Sequence, residues 1–580
     1  MGVPSINKTA LTRPGWLLLV VGTLLFCFVF LWPSQRQKAK GPVVLGGTLR
    51  YSTVEAFNTL FPLSSNTLDY QRALQLVYEP VLTAADNQRG WEYNLAKSIR
   101  VSKDQKVITL RLKQGVYFSK DACFRFSSRE LTAKDLAFTL SFACSKNNLN
   151  QQSHLLTELI VGAKQFYIQN KSPFLNTVSG IQIIDKYTVK IQLTAAYNHF
   201  LSILSNNSLG VLSRVAADYY RTGLPAHPIG TGAFYLNSKK GKTLSFLRNK
   251  DYWNYDRYGN QLPYLDEVII YTGVSSSKEH KLFSANQTDL LFDLPVNQLP
   301  SAFGTLQDAQ KGKNPLHEVY IRPSSKIHYL YFNTMKGPFR QLLVRKAFSL
   351  VIDPELICAN DLNGEGSPMC GRFIPERNGY RNELLRDFQD QNSRITDKIK
   401  LAKNYLKLAG FGPDNPFPKI NLAVRGVKNS VAGTWCRAVQ KMIQEKLGIS
   451  VRLMYNNNIS KQLSDTNIDI WRGGWVGDYP GAESYLRLFY SAAQNPVFFK
   501  NSAVDRYYLS SIFERPESPL QVLAQKICEK EIISSYALIP VYTEDFFMIH
   551  KLQVRGFQLA ESGLVDFSKI YLKGFQAEEN

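Results

Sequence analysis

Residues 108–119 read ITLRLKQGVYFS, and residues 131–142 read LTAKDLAFTLSF. The first stretch continues a β-rich run that starts at Val107 and pairs naturally with Ile99–Val101 across the polar turn SKDQ. The second stretch has helical periodicity. Thr132 is a suitable N-cap, and Asp135 stands where the acidic partner of a capping box belongs. These segments therefore predict a β-hairpin followed by a capped helix.

The same alternation of strands and helices continues on both sides. Gly46–Tyr51 predicts a strand and Leu68–Tyr78 a helix. Further on, the patterns predict helices at Thr396–Ala409 and Ala432–Leu447, each stopped by glycine, and strands at Ile420–Val424 and Ile449–Met454. Alternation of this kind predicts an α/β class with mixed sheets. A length of 580 residues, 44% of them hydrophobic, predicts two or three lobes.

The sequence offers little for catalysis. Its seven histidines show no HExxH or other metal-ligand spacing, and no G-x-S-x-G segment occurs. Gly241-Lys242-Thr243 resembles the end of a P-loop, but Leu236 stands where its first glycine belongs. We expect no catalytic residues, no metal and no cofactor, although side chains from distant positions can still assemble into a site.

The N-terminus carries a membrane signal. Gly15–Pro33 is uncharged, and as a helix this stretch would span roughly 25 Å, near the thickness of a bilayer core. No small-x-small cleavage site follows in Ser34–Lys40. The sequence favours an uncleaved signal-anchor over a removed signal peptide.

Charge and cysteines leave two questions open. The net charge is +22, but lysine and arginine are spread along the whole chain, which favours a solvated basic surface able to face anionic lipid and disfavours nucleic-acid binding. Cys358 and Cys370 could form a disulfide in an oxidising compartment, or both could remain buried thiols.

Short segments spread over nearly the whole chain after residue 44 occur in the order typical of one family. They are Leu95–Ser98, Ile108–Ser119, Leu131–Leu136, Pro228–Phe234, Arg248–Trp253, Tyr264–Asp266, Tyr331–Thr334, Gly337–Phe339, Val344–Phe348, Ile352–Asp353, Ala402–Phe411, Gln440–Val451 and Gly474–Tyr479. In these segments the chain resembles the oligopeptide-, dipeptide- and nickel-binding solute receptors of ABC importers. It departs from them at Ile99, where the family usually carries tryptophan, and in the longer turn Lys120–Glu130.

The resemblance implies a two-lobe periplasmic-binding-protein fold of the flytrap type, with an extra subdomain inserted in the first lobe. The implied divisions are a cytoplasmic tail (1–14), a transmembrane signal-anchor or signal peptide (15–33), a linker (34–44), lobe I (45–82), the inserted subdomain (83–195), lobe I continued (196–318), lobe II (319–534) and a return to lobe I (535–580).

The resemblance also implies partners and a location. The partners are short peptides, an ABC permease and its ATPase subunits. The protein is expected to be a monomer in the periplasm or another extracytoplasmic space, tethered to the cytoplasmic membrane by its N-terminal segment.

The resemblance places the ligand site around the Gly474–Tyr479 segment. By it, Asp478 pairs with the ligand α-ammonium; the alternative is a loop aspartate that bonds its own turn. Trp475 and Tyr479 either line the same pocket beside Gly474 or pack the core near the hinge. Asn333 serves either the cleft or its own strand, and we favour the strand.

Two other functions remain open at this point. The same fold could receive another solute, such as a cell-wall peptide, a metal chelate or haem. A membrane-anchored signalling or structural protein could also have kept the clamp without transport.

Overall fold

The computed structural model describes residues 39–57, 59–64, 67–84, 91–197, 199–292, 317–362, 366–376, 380–388, 394–426, 428, 430–456, 467–477, 481–491, 499–514, 518–560 and 562–574. The predicted anchor at 15–33 lies outside these residues, and so do Asp478 and Tyr479. Within the described ranges, no helix is long and apolar enough to cross a membrane.

The strands and helices alternate along the chain as the sequence predicts. The strands are β1 Thr48–Ser52, β2 Leu82–Ala84, β3 Trp91–Tyr93, β4 Ala96–Val101, β5 Val107–Leu112, β6 Ile181–Asp185, β7 Thr188–Gln192, β8 Phe234–Lys240, β9 Thr243–Arg248, β10 Glu267–Tyr271, β11 Leu290–Phe292, β12 His317–Phe332, β13 Gly366–Pro368, β14 Ile420–Arg425, β15 Val451–Asn456, β16 Ile470–Trp475, β17 Leu538–Lys551, β18 Val554–Arg555 and β19 Tyr571–Leu572. The α-helices are α1 Leu68–Val77, α2 Ala133–Ala143, α3 Ala163–Ile168, α4 Phe200–Ile203, α5 Arg214–Tyr220, α6 Ser276–Ser284, α7 Leu342–Val351, α8 Pro354–Leu356, α9 Ile395–Leu408, α10 Val431–Leu447, α11 Glu483–Leu486, α12 Ser502–Phe513 and α13 Pro519–Ser534.

The predicted hairpin and capped helix are confirmed. β4 and β5 pair antiparallel, and Thr132 and Asp135 form the capping box of α2. The Asp135 carboxylate accepts the backbone N–H of Thr132 at 2.8 Å and that of Arg214 at 2.7 Å, so the same side chain also ties α2 to α5. The hairpin belongs to a separate four-stranded sheet in the order β4-β5-β7-β6, and all four strands fall within residues 83–195.

A mixed sheet of eleven strands, counted over the described residues, organises the rest of the chain. Its main path is β15-β14-β16-β12-β17-β11-β1-β10-β9-β8, and β13 pairs with β17 beside this path. β12 and β17 are long antiparallel partners, and their register shifts between Pro323 and Lys326. β16 pairs with β12 on one side of this shift and β11 with β17 on the other. The two long strands therefore join the two halves of the large sheet.

Two hydrophobic cores lie on opposite faces of the sheet around β12. On β12, Leu330 and Phe332 belong to the smaller core, whereas Tyr329 and Tyr331 belong to the larger one. Alternate side chains of a strand point to opposite faces, so β12 separates the two cores. The smaller core is centred on Trp435 of α10, which is fully buried. One face of the sheet at β12 thus packs into the smaller core and the other into the larger core.

Candidate functional site

The predicted ligand segment begins on β16, beside the strands that join the lobes. In the antiparallel pair with β12, Gly474 stands opposite His328 and Trp475 opposite Ile327. Gly474 is exposed, while Ile327 is buried. The carboxyl end of β16 therefore presents the exposed backbone of Gly474 beside β12.

Among the described residues, one edge of this strand end has no strand paired to it. On the other side of β16, the register with β14 covers only the pairs Leu422–Ile470 and Ala423–Trp471. From Arg472 to Trp475, the described residues show pairing with β12 alone. An unpaired strand edge is a template for the backbone of an added chain.

Gly473 is a residue of this strand that sequence reasoning missed. A Cβ on Gly473 would lie 2.3 Å from a ring carbon of Tyr329 and could not be accommodated without movement. Tyr329 is buried in the larger core. Glycine at this position therefore permits the close packing of β16 on the Tyr329 ring.

Trp475 holds the start of the following loop. Its indole Nε1 donates a hydrogen bond to the backbone oxygen of Ser484 at 3.0 Å, and the half-buried ring packs against the larger core. These contacts are those expected if Trp475 packs the core, which is one of its two predicted roles. Its contact with a ligand stays a prediction.

Asp478 and Tyr479 lie between two segments whose positions are described. Before them, Gly477 approaches Ser484 so closely that a Cβ would meet the Ser484 Oγ at 2.7 Å. After them, the Ser484 hydroxyl donates to the Gly481 carbonyl at 2.8 Å. Both ends of the loop are therefore held against α11, and the roles of Asp478 and Tyr479 stay predictions.

The loop ends at a buried carboxylate, Glu483, that contacts segments far apart in the chain. Glu483 has no solvent exposure, and its Oε2 accepts a hydrogen bond from Gln525 Nε2 at 2.9 Å. Its Oε1 lies 2.9 Å from His199 Nε2. His199 precedes α4, in the segment predicted as lobe I, whereas Gln525 lies on α13, in the segment predicted as lobe II. No local pattern in the sequence signals a contact between residues so far apart.

A cluster of charged side chains lies next to Gly474. His328 Nε2 is 2.8 Å from Glu544 Oε2, and His328 Nδ1 is 2.7 Å from an Arg472 guanidinium nitrogen. A carboxylate can only accept and a guanidinium can only donate, so His328 donates from Nε2 and accepts at Nδ1. Lys326 also pairs with Glu544. The histidine is therefore a neutral bridge between one anion and one cation.

The pKa values of this cluster agree with that assignment. Burial, opposed by Glu544 and assisted by Arg472, lowers the pKa of His328 to about 4. Burial alone would raise the pKa of Glu544, but Lys326 and His328 together hold it well below its usual range. At neutral pH the cluster carries two positive charges and one negative charge, and sequence reasoning missed it because its members come from three strands.

Asn333 makes the contacts expected if it serves its own strand. It is 4% exposed, its backbone N–H donates to the Asp469 carbonyl at 2.9 Å, and its side-chain oxygen accepts from Met335 N at 3.2 Å. These bonds hold the end of β12 to the segment before β16. A role in the cleft stays a prediction.

The predicted disulfide between Cys358 and Cys370 is not formed in the structure, where both residues are thiols. Burial, with a smaller contribution from Cys370, raises the pKa of Cys358 to about 12. A buried thiol with a raised pKa is a poor nucleophile, which fits the buried-thiol alternative. Among the described residues, no group of three or more histidine, cysteine, aspartate or glutamate side chains is placed to hold a metal ion.

Comparison with known proteins gives a consistent result. Residues 90–496 match the family described as bacterial extracellular solute-binding proteins, family 5 middle. The oligopeptide-binding protein OppA of Bacillus subtilis is 24% identical over 502 residues, which cover 83% of this chain and 85% of that protein.

Solved structures show the same fold. The murein tripeptide binding protein MppA of Escherichia coli superposes with a TM-score of 0.78 at 20% identity, covering 92% of this chain and 99% of that one. OppA of Haemophilus influenzae in complex with RPPGFSPFR also gives 0.78, at 18% identity, over 91% of this chain and 99% of that one. The two-lobe periplasmic-binding-protein fold predicted from the sequence is therefore confirmed.

Proposed function

Because this chain belongs to the family 5 bacterial extracellular solute-binding proteins, we propose that it captures short peptides between its two lobes and delivers them to an ABC permease with its ATPase subunits. The observation that carries this proposal is the open backbone edge from Arg472 to Trp475, which leads directly into the loop with Asp478. Relatives named for binding oligopeptides and a murein tripeptide support a peptide as the ligand.

The backbone edge suits a ligand of variable sequence. Every peptide has the same amide groups, so pairing with the exposed backbone at Gly474 requires no particular side chain. The small Gly473 and Gly474 leave room for a second backbone beside the strand. Specificity would then come from the ends of the ligand and remain loose along its length.

The charged groups near this edge suit a ligand that carries both a positive and a negative charge. Asp478 pairs with the α-ammonium, a charge-assisted contact that contributes about 1.5–3 kcal/mol. The cluster of Lys326, Arg472 and Glu544 has one surplus positive charge and attracts the ligand carboxylate. A zwitterionic peptide fits both groups, whereas a neutral solute fits neither.

Binding proceeds without bond making or breaking. A ligand that contacts both lobes favours the closed state by the difference between its affinities for the closed and open states. The Glu483–His199 contact adds to closure because separation of the lobes at this point would break it. The protein is therefore a receptor and not an enzyme, and the permease recognises the closed form.

The place of action follows from the family and from the N-terminal sequence. Members of this family are extracellular solute-binding proteins, which puts the lobes outside the cytoplasm. The uncharged sequence of residues 15–33 supports the further proposal that the protein is a monomer tethered to the cytoplasmic membrane by this segment.

Calorimetric titration with tri- to pentapeptides, each with a free or an acetylated N-terminus, tests this function. Acetylation is expected to weaken binding roughly 10- to 100-fold, and Asp478→Asn should remove most of that difference. Equal binding of free and acetylated peptides would remove the Asp478 role. Failure of all peptides to bind would contradict the peptide function and point to another solute.

A further inference from the structure

A second concave surface lies within residues 97–261, apart from the strand ends around Gly474. This basic groove has a volume of about 780 Å3. It is bounded by the small sheet on one side and by the loop after β9 on the other. Its charged lining residues are Lys97, Lys113, Arg129, Lys250 and Asp251. The proposed peptide site uses none of them.

The groove carries more positive than negative charge. Its single lining carboxylate, Asp251, is already paired with Arg129 at 2.8 Å and with Lys120 at 3.6 Å. Within the described part of the chain, no carboxylate oxygen lies within 4.0 Å of the ammonium groups of Lys97, Lys113 or Lys250. Four cations against one anion leave a net charge of +3 on the lining.

One of these lysines is held in place by a buried network. The Lys113 ammonium lies 3.8 Å from the centroid of the Trp253 ring. The Trp253 indole N–H donates to Glu79 at 3.0 Å, and Glu79 also accepts from Thr231 at 2.8 Å and Tyr252 at 2.9 Å. The ring cannot rotate without breaking this bond, so the ammonium is positioned before any ligand arrives.

The surroundings of Lys113 favour an anionic neighbour. Burial lowers the pKa of Lys113, against the opposing effect of Glu79. A lowered lysine pKa means that the charged form has lost solvation, and an anion in the groove would restore that stabilisation. Lys97 and Lys250 are exposed on the same groove and can turn toward the same anion.

We propose that this basic groove binds phosphoryl oxyanions. A phosphate group carries about −1.5 to −2 charge at neutral pH and several strong acceptor oxygens, which matches three lysines better than one carboxylate would. The volume exceeds what a single phosphate fills, so the group is part of a larger phosphorylated molecule or one of two linked phosphates. Such a group comes either from a soluble phosphate compound or from the headgroup of a membrane lipid.

Titration of the full-length protein with pyrophosphate at low ionic strength, by calorimetry, tests the soluble source. Lys97→Gln/Lys250→Gln should weaken binding roughly tenfold or more, because two charge-assisted contacts are lost. Lys103→Gln/Lys106→Gln is the matched control, since it removes the same charge from the exposed β4–β5 turn outside the groove. The control should bind like the unchanged protein.

Co-sedimentation with phosphatidylcholine vesicles, with and without phosphatidylglycerol, tests the lipid source. For this assay the full-length protein is purified in detergent, and dilution into the vesicle suspension removes the detergent from the protein. The groove variant is Lys97→Gln/Lys250→Gln. Vesicle binding that phosphatidylglycerol enhances, and that is reduced only in the groove variant, would support a headgroup in the groove. Absence of pyrophosphate binding together with absence of any phosphatidylglycerol-dependent increase in vesicle binding, or equal losses in the two double variants, would overturn the proposal.

Peptide titrations on the same variants separate this inference from the proposed function. Both double variants should keep the peptide affinity of the unchanged protein, which also shows that they are folded. Loss of peptide binding in the groove variant alone would mean that the groove belongs to the peptide site, and would overturn its assignment as a separate site.

Discussion

Two buried glutamates with similar burial have very different partners. Glu79 accepts hydrogen bonds from Thr231, Tyr252 and Trp253, all neutral donors that lie between residues 231 and 253. Glu483 accepts from Gln525 and pairs with His199, which lies in the segment predicted as lobe I. The first carboxylate has all three donors in one short segment, whereas the second has partners from two distant segments, which the predicted division assigns to different lobes. A buried carboxylate can therefore serve folding or closure, according to where its partners come from.

The largest expected effect is at Glu79. Glu79→Leu would leave the buried donors of Thr231, Tyr252 and Trp253 without an acceptor, which should lower the free energy of unfolding by about 3–5 kcal/mol. Urea denaturation measures this change. Glu79→Gln keeps one acceptor oxygen and should lose less. A loss below 1 kcal/mol in the leucine variant, where roughly 1 kcal/mol is the ordinary effect of a substitution, would show that the network is not important for folding.

The pH dependence of stability provides the next test of Glu79. Burial, opposed by the three donors, raises the pKa of Glu79 to about 7. At pH values between the ordinary pKa of a glutamate and about 7, Glu79 keeps its proton in the folded protein, whereas the unfolded chain has released it. Stability from this group is therefore present at low pH and falls as the pH rises through that window, by up to about 3 kcal/mol.

Urea denaturation of the unchanged protein and of Glu79→Gln between pH 4 and pH 8, a range of roughly four units around this pKa, isolates the contribution. The difference between the two curves should change across the window. Parallel curves would contradict the raised pKa.

The contact between lobes at Glu483 should matter more for binding than for folding. Glu483→Gln or His199→Gln removes an interaction that opening would break, so peptide affinity should fall by about 1–2 kcal/mol, roughly five- to thirtyfold. Calorimetry on both single variants and the double variant gives the coupling energy. Glu445→Gln, in an exposed pair with Lys441, is the control and should change nothing. Additive losses would mean that the pair does not act as a unit.

The smallest expected effect is at Trp475, where the two roles predicted from sequence can be separated. Trp475→Phe removes the hydrogen bond to the Ser484 carbonyl and should lower the free energy of unfolding by about 1 kcal/mol. If the ring serves packing alone, peptide affinity should change by less than roughly threefold. A larger loss of affinity with unchanged stability would favour the role of Trp475 in lining the pocket.

Much of the fold was predictable because its signals are local. The helix predicted at Thr396–Ala409 is Ile395–Leu408, and the one predicted at Ala432–Leu447 is Val431–Leu447. The latter ends at Gly448, which adopts a φ of +73° that glycine tolerates best. Apolar periodicity, caps and stops act within a few residues, so they can be read without knowledge of the partner elements.

Less of the candidate site was predictable, because its parts come from distant segments. Sequence and resemblance indicated Gly474 and Trp475, and the structure places both at the open end of β16. The link from Arg472 through His328 to Glu544 depends on the order of three strands, and the Glu483–His199 contact depends on the packing of two distant segments. The sequence left Cys358 and Cys370 open between a disulfide and thiols, because proximity in the chain does not decide how two thiols are oriented, and the structure shows thiols.

The amino-acid sequence by itself determined the α/β class, the capped helix after the hairpin and the family, since these rest on short-range hydrogen bonding, periodicity and collinear motifs. Only the tertiary structure decided, among the described residues, which strand edge has no strand paired to it, which distant groups meet at a buried carboxylate and where lysines without a carboxylate partner gather. The physical reason is that strand order and the packing of distant segments bring charged groups and hydrogen-bond donors together. Interactions between residues close in the chain do not specify these contacts.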